Sequence, residues 1–103
     1  MEHASAAAAL AALGHETRLH IFRLLVRAGP EGLTVGAIGA HLGAAPSTLA
    51  HHLAALVAAG LVSQERQGRA VVSRVDFDRM RAVLDFVAEA CCAGLPLPRD
   101  DAA

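Results

Sequence analysis

The chain has 103 residues, which suits one compact domain with a modest core to which a dimer interface would add apolar burial. Hydrophobic residues make up 54% but aromatics only 3%, with no Trp or Tyr, so the core has to be aliphatic and rich in Ala, a composition that favours helix. The formal net charge of −1 excludes a globally basic nucleic-acid binder, and any DNA contact must come from a local patch of Arg, since there is no Lys.

In chain order, Ser5 is placed to cap a short Ala-rich helix that runs through Leu13 and ends at Gly14. A second helix is predicted from Glu16 to Arg27, with Leu19, Phe22, Leu25 and Val26 as its apolar face and Glu16, His20, Arg23 and Arg27 as a polar stripe. Gly29-Pro30-Glu31-Gly32 is a loop. Thr34 is an N-cap for a short helix through Leu42, and Gly43-Ala44-Ala45 makes a tight connection. Pro46 suits the first position of the next helix, which runs to Ala59, buries Leu49, Leu53, Leu56 and Val57, and is capped by Gly60.

Two helices joined by a short Gly-containing turn form a helix-turn-helix pattern. Leu61 to Gln67 and Arg69 to Val75, with Gly68 between them, read as a β-hairpin wing. Asp76 caps a final helix whose seam is Phe77, Met80, Leu84, Val87 and Cys91, and Gly94 and Pro96 stop it. The fold class is therefore mostly α with a β-hairpin wing, a winged helix-turn-helix over residues 1–94. A flexible tail is expected over 95–103.

Ser47, Thr48 and His51 share one face of the N-terminal half of the second motif helix, the half that enters the major groove in helix-turn-helix proteins. Their small hydroxyls and imidazole suit bases or phosphates, although Ser47 could equally satisfy the helix start. His52 follows Leu49 by three residues, so it borders the apolar face and can either pack or reach DNA. On the wing, Arg69 is a candidate for a phosphate or minor-groove contact, and Arg66 and Arg74 add positive charge against Glu65 alone.

Cys91 and Cys92, the two cysteines of the chain, fall in the last turn of the predicted final helix. Two cysteines make no disulfide framework. Consecutive Cα atoms lie about 3.8 Å apart, closer than the roughly 4.4–6.8 Å that a disulfide prefers. The pair can still offer two sulfurs to one soft, large atom, and trivalent arsenic or antimony accepts thiolates in a pyramidal arrangement. Zinc usually needs four ligands, and the final helix contains no His; copper(I) is satisfied by two thiolates. A helix C-terminus and nearby Glu89 both oppose thiolate formation, which weighs against a redox switch. The bland reading of Cys91 is a small hydrophobe continuing the seam.

There is no phosphate loop and no acid/base constellation, so catalytic residues and a permanent cofactor are not expected. Met1-Glu2-His3-Ala4 lacks the positive flank of a signal peptide, and no apolar run reaches the roughly 18 residues of a membrane span. A cytoplasmic location without a membrane partner is the expectation.

Three stretches resemble one family. They are Leu13-Gly14-His15-Glu16-Thr17-Arg18-Leu19-His20-Ile21-Phe22, then Ser47-Thr48-Leu49-Ala50-His51-His52-Leu53 followed by Ala59-Gly60-Leu61-Val62, and Gln67-Gly68-Arg69. They are similar to the entry into the second helix, the recognition helix with its exit, and the wing tip of the ArsR/SmtB winged-helix repressors. The likeness spans about Leu10 to Gly94. It implies a homodimer through the first and last helices, bound to double-stranded operator DNA.

The resemblance also bears on the thiols, because some arsenic-responsive members carry a Cys-Cys pair near the end of the last helix. It implies a repressor released when trivalent arsenic or antimony, including a methylated arsenical, binds Cys91 and Cys92. Two departures stand out. Ala50 replaces a common Ser, and no third cysteine follows the pair, so inorganic arsenite needs a third donor whereas a methylated arsenical does not. The alternatives are a redox- or copper(I)-gated repressor of the same fold, or a DNA-binding module without an effector.

Overall fold

The computed structural model describes residues 1–96; most of the expected tail, 97–103, lies outside the described residues. The first helix, α1 (His3–Leu13), starts upstream of Ser5. Glu2 is its N-cap residue without a side-chain bond, its carbonyl accepting from the Ala6 amide at 3.0 Å. Ser5 is thus an interior residue, because the Ala run propagates helix in both directions from it. Ala6, Ala9 and Ala12 form a buried stripe of small residues that lets α1 approach its neighbours closely, while Leu10 stays 44% exposed.

Helix α2 (Glu16–Ala28) buries Ile21, Phe22 and Leu25. Leu19, expected on that face, is 43% exposed. A 3-10 turn over Gly29–Glu31 leads through Gly32 into β1 (Leu33–Thr34), a strand that was not expected. Gly32 has φ +69, and a Cβ there would stand 2.2 Å from the Ser73 carbonyl oxygen, so only glycine lets the chain enter the sheet at this point.

The helix-turn-helix follows. Helix α3 (Val35–Leu42) is capped by Thr34, whose Oγ1 accepts from the Ala37 amide at 3.1 Å. Gly43 closes it in the left-handed conformation. Helix α4 (Pro46–Ala58) has Pro46 in its first turn and buries Leu49, His52, Leu53 and Leu56. Val57, expected inside, is 38% exposed.

The wing consists of β2 (Val62–Gln67) and β3 (Ala70–Val75), paired antiparallel with Val62 opposite Val75 and Gln67 opposite Ala70. Strand β1 adds to β3 through Leu33 opposite Ser73, so the sheet order is β1-β3-β2. Ile21, Leu25, Ile38, Leu49, Leu53, Leu56, Leu61 and Val83 are essentially fully buried, an aliphatic core shared by α2, both motif helices and the last helix.

Helix α5 (Phe77–Ala88) begins at Asp76, whose Oδ1 accepts from the Arg79 amide at 2.9 Å. It ends well before the expected Gly94, with Glu89 in extended geometry. Every described residue beyond Phe86 is exposed, so no tertiary packing holds another turn. The seam is corrected as well. Val83 is its buried residue, Phe77 and Met80 pack partly on the core, and Leu84 and Val87 are 55% and 62% exposed.

Candidate nucleic-acid interface and thiol site

The first half of α4 presents Ser47, Thr48 and His51 to solvent while Leu49 and Leu53 anchor the opposite face. Ser47 is not the N-cap of α4, a place taken by Ala45, and its side chain is exposed in the first turn. Thr48 borders a shallow hollow that it shares with Thr17 and His20 of α2 and with Leu42 and Ala44. Ala50 is exposed on this helix too, with no polar atom to offer.

His52 is not part of that surface. It is 8% exposed, and its Nδ1 accepts from Arg18 Nε at 3.3 Å. This corrects His52 as a DNA-contacting residue: packing against α2 takes it away from solvent. Its ring lies 4.7 Å from that of His15 and 5.3 Å from that of His51, centroid to centroid. Burial first, and then the charges of His15, Arg18 and His51, hold its imidazole below the usual histidine range. His15 in turn caps α2, its Nδ1 accepting from the Thr17 amide at 3.2 Å.

On the wing, Arg66 and Arg69 are exposed on either side of the Gly68 turn. Arg74 is different. It donates to Glu65 at 3.0 Å and to the Pro30 carbonyl at 3.1 Å, so its charge is spent inside the wing base rather than offered to a ligand. Glu65 also accepts from Gln67, and that bond together with Arg74 holds its carboxyl below the usual range.

Cys91 and Cys92 lie beyond α5, not in its last turn. Both are exposed free thiols, with Sγ atoms 3.3 Å apart. The backbone there folds tightly: the Cys91 amide donates to the Ala88 carbonyl at 3.1 Å and the Ala93 amide to that of Ala90 at 3.0 Å. Ala90 and Cys92 both have positive φ, +57 and +62, a conformation that costs an L-residue energy. Cys91 therefore leaves the apolar seam. Among the described residues no group of three or more His, Cys, Asp or Glu side chains is placed to hold a metal ion.

One further surface concerns assembly. Leu10, Leu13, Leu19, Phe22, Val26, Met80, Val83 and Leu84 line an open apolar groove of about 360 Å³ between α1, α2 and α5, with Arg23 and Arg27 on its rim. It gathers the exposed leucines of all three helices.

A family model described as a helix-turn-helix domain matches residues 13–65. An ArsR-like transcriptional regulator from Rhodococcus sp. RHA1 is 28% identical, with a TM-score of 0.74, over 88% of this chain and 82% of that one. The homodimeric winged helix-turn-helix DNA-binding domain of Mb0332 from Mycobacterium bovis, described as a possible ArsR-family transcriptional regulator, is 30% identical, with a TM-score of 0.67, over 85% and 82%. The chain belongs to the ArsR family of winged helix-turn-helix transcriptional regulators. Reduced HlyU from Vibrio cholerae N16961 is also similar, 28% identical with a TM-score of 0.68 over 86% and 90%. A comparison with curated proteins finds no match.

In this ArsR-family chain, α4 is the recognition helix and the β2–β3 hairpin the wing. Of the residues singled out in the sequence, Ser47, Thr48 and His51 come together on α4, and Arg66 and Arg69 at the wing tip. Arg18 and His15 were missed as partners of His52 because they are distant in sequence. No helix among the described residues is long and apolar enough to cross a membrane.

Proposed function

We propose that this regulator is a homodimeric repressor, released from operator DNA when a trivalent arsenic or antimony species bridges Cys91 and Cys92. The observation that carries the reading is the pair of exposed sulfurs 3.3 Å apart. Zinc–thiolate bonds of about 2.3 Å at the tetrahedral angle spread two sulfurs to roughly 3.8 Å. Bonds of that length closing on 3.3 Å meet at about 92°. That near-right angle suits a pyramidal metalloid better than tetrahedral zinc. Two protein thiolates complete a methylated arsenical, while inorganic arsenite takes its third donor from a small thiol, a hydroxide or the second subunit.

Dimerisation is supported by the groove between α1, α2 and α5 and by the homodimeric Mycobacterium bovis relative. The two recognition helices then meet half-sites about one DNA turn, roughly 34 Å, apart. Metalloid binding reorganises the turn that follows α5, and α5 carries the change to the dimer interface and the spacing of the reading heads. By linkage, DNA weakens metalloid binding by the same factor.

A second reading is gating by thiol oxidation. The exposure of both thiols and the likeness to a regulator described in a reduced state favour it. Fluorescence anisotropy of operator DNA with reduced protein separates the two. Arsenite, methylarsenite, antimonite, copper(I), zinc and peroxide are added separately. Release by the trivalent metalloids alone supports the first reading. Release by peroxide alone supports the second, and release by copper(I) alone rejects both.

A further inference from the structure

Three imidazoles and a guanidinium meet where α2 packs on the recognition helix. His52 is buried, and its Nδ1 accepts from Arg18 Nε at 3.3 Å. An imidazole nitrogen accepts only while it carries no proton. His15 stands before α2 with its ring 4.7 Å from that of His52, and His51, the adjacent residue on α4, lies 5.3 Å away. Thus a permanent cation and two titratable rings surround the buried one. All their charges act on His52 in the same sense, and among the described residues no carboxylate of α1, α2, α3 or β2 offsets them.

We propose that Arg18 and His52 form a proton-sensitive clasp that seats the recognition helix on α2, so that DNA affinity falls when His52 is protonated. The inference rests on α4 being the DNA-contacting helix. With neutral His52, the bond ties α4 to α2 beside His51 and fixes the angle at which His51 and Ser47 face the groove. With protonated His52, two N–H donors and two cations oppose each other in a part-buried site. Either α4 moves off α2 or the ring swings out, and His51 moves with it. The sign follows from the depressed histidine range: the clasp holds above the folded-state value and is lost as pH falls through it. Arg18 and His52 are positioning residues; neither has to touch DNA.

The test compares wild type with His52→Asn from about pH 8 down to about pH 5.5, reading operator affinity by anisotropy and helix content by circular dichroism. Asn offers a carbonyl acceptor near the Nδ1 position and does not titrate. His15 and His51 remain in both proteins, so their own attraction for phosphate cancels in the ratio of affinities. The expected result is similar affinity at the upper pH and a ratio that turns about fivefold against wild type at the lower one. Parallel profiles overturn the clasp.

NMR of the wild-type protein supplies a reading that needs neither DNA nor a folded variant. The His52 Nδ1 signal is expected to titrate together with the Arg18 Nε–H signal and with α4 amides. Titration of His52 without any response from Arg18 overturns the proposal. Failure of wild type to bind DNA at any pH counts against the reading of α4 and leaves the NMR result to decide the clasp.

Discussion

Arg74 Nη1 stands 3.0 Å from Glu65 Oε1, across the β2–β3 ladder where Glu65, opposite Val72, lies two residues along β2 from Arg74's own partner, Ser63. This pairing divides the wing arginines into two kinds. Arg74 is anchored at the base, while Arg66 and Arg69 have no carboxylate partner among the described residues. Arg69→Ala is therefore expected to weaken DNA binding across sequences and to lower the salt slope by about one unit, the signature of one lost phosphate contact. Arg74→Ala is expected to leave the salt slope nearly unchanged. Anisotropy titrations over a salt series check both, and an unchanged slope for Arg69→Ala removes that residue from the interface.

The same pair has a pH signature. Bonds from Gln67 and Arg74 hold the Glu65 carboxyl below its ordinary range, so it binds its proton less readily folded than unfolded. Its contribution is present above the unfolded-state value and is lost as pH falls through the folded-state one. The group is exposed, so solvent screening keeps the effect small. In thermal melts, Glu65→Gln should be slightly less stable than wild type near neutral pH, where the contribution is present, and should converge with it in acid, so that its decline is flatter. A decline of the same shape in both proteins would detach Glu65 from acid stability.

The sheet entry offers a sharper test of stability. At Gly32 a side chain would meet the Ser73 carbonyl and the Arg74 side chain at once, and φ is +69. Gly32→Ala is expected to cost more than about 2 kcal/mol, the sum of the strain of a backbone region that essentially only glycine occupies (φ +69, ψ −165) and a displaced backbone contact. Urea unfolding measures it. A loss below about 1 kcal/mol, no more than the backbone strain alone, would mean that β1 can shift away from β3 cheaply.

The helix-turn-helix was legible because its punctuation is local: Thr34 caps α3, Gly43 closes it and Pro46 opens α4. Strand β1 was not, since two residues leave no alternation to read. The end of α5 escaped for a different reason. Glu89 and Ala90 favour helix intrinsically, and only the absence of packing beyond Phe86 stops it. The spacing from Leu49 put His52 at the border of the apolar face, but its partner Arg18 is 34 residues away and no periodicity links them. The Ser47, Thr48 and His51 face was legible because helical spacing alone sets which residues oppose Leu49 and Leu53.

Leu84 connects the seam to assembly. It is 55% exposed and lines the groove together with Leu10 and Leu19, two other exposed leucines. Leu84→Glu places a charge there without disturbing the buried Val83 beside it. The expected outcome in analytical ultracentrifugation is a folded monomer with wild-type helix content and operator affinity lower by at least about tenfold, because paired half-sites are no longer read together. An undiminished dimer would shift the interface to another face.

The thiol pair yields the most specific expectation, since its two sulfurs limit what it can hold alone. Cys91→Ser and Cys92→Ser, singly or together, should leave operator affinity of the reduced protein unchanged, because both residues lie beyond α5 and far in sequence from the recognition helix. Each single variant leaves one protein sulfur, so both should lose release by methylarsenite, by about tenfold or more in the concentration required. Arsenite should behave differently from methylarsenite in wild type. Its third bond needs another donor, so added glutathione should sharpen the response to arsenite and leave that to methylarsenite unaffected. Anisotropy with each arsenical, with and without glutathione, reads the difference. A single variant that still responds fully would show that the two sulfurs do not act on one atom, and normal release from the double variant would move the effector site elsewhere.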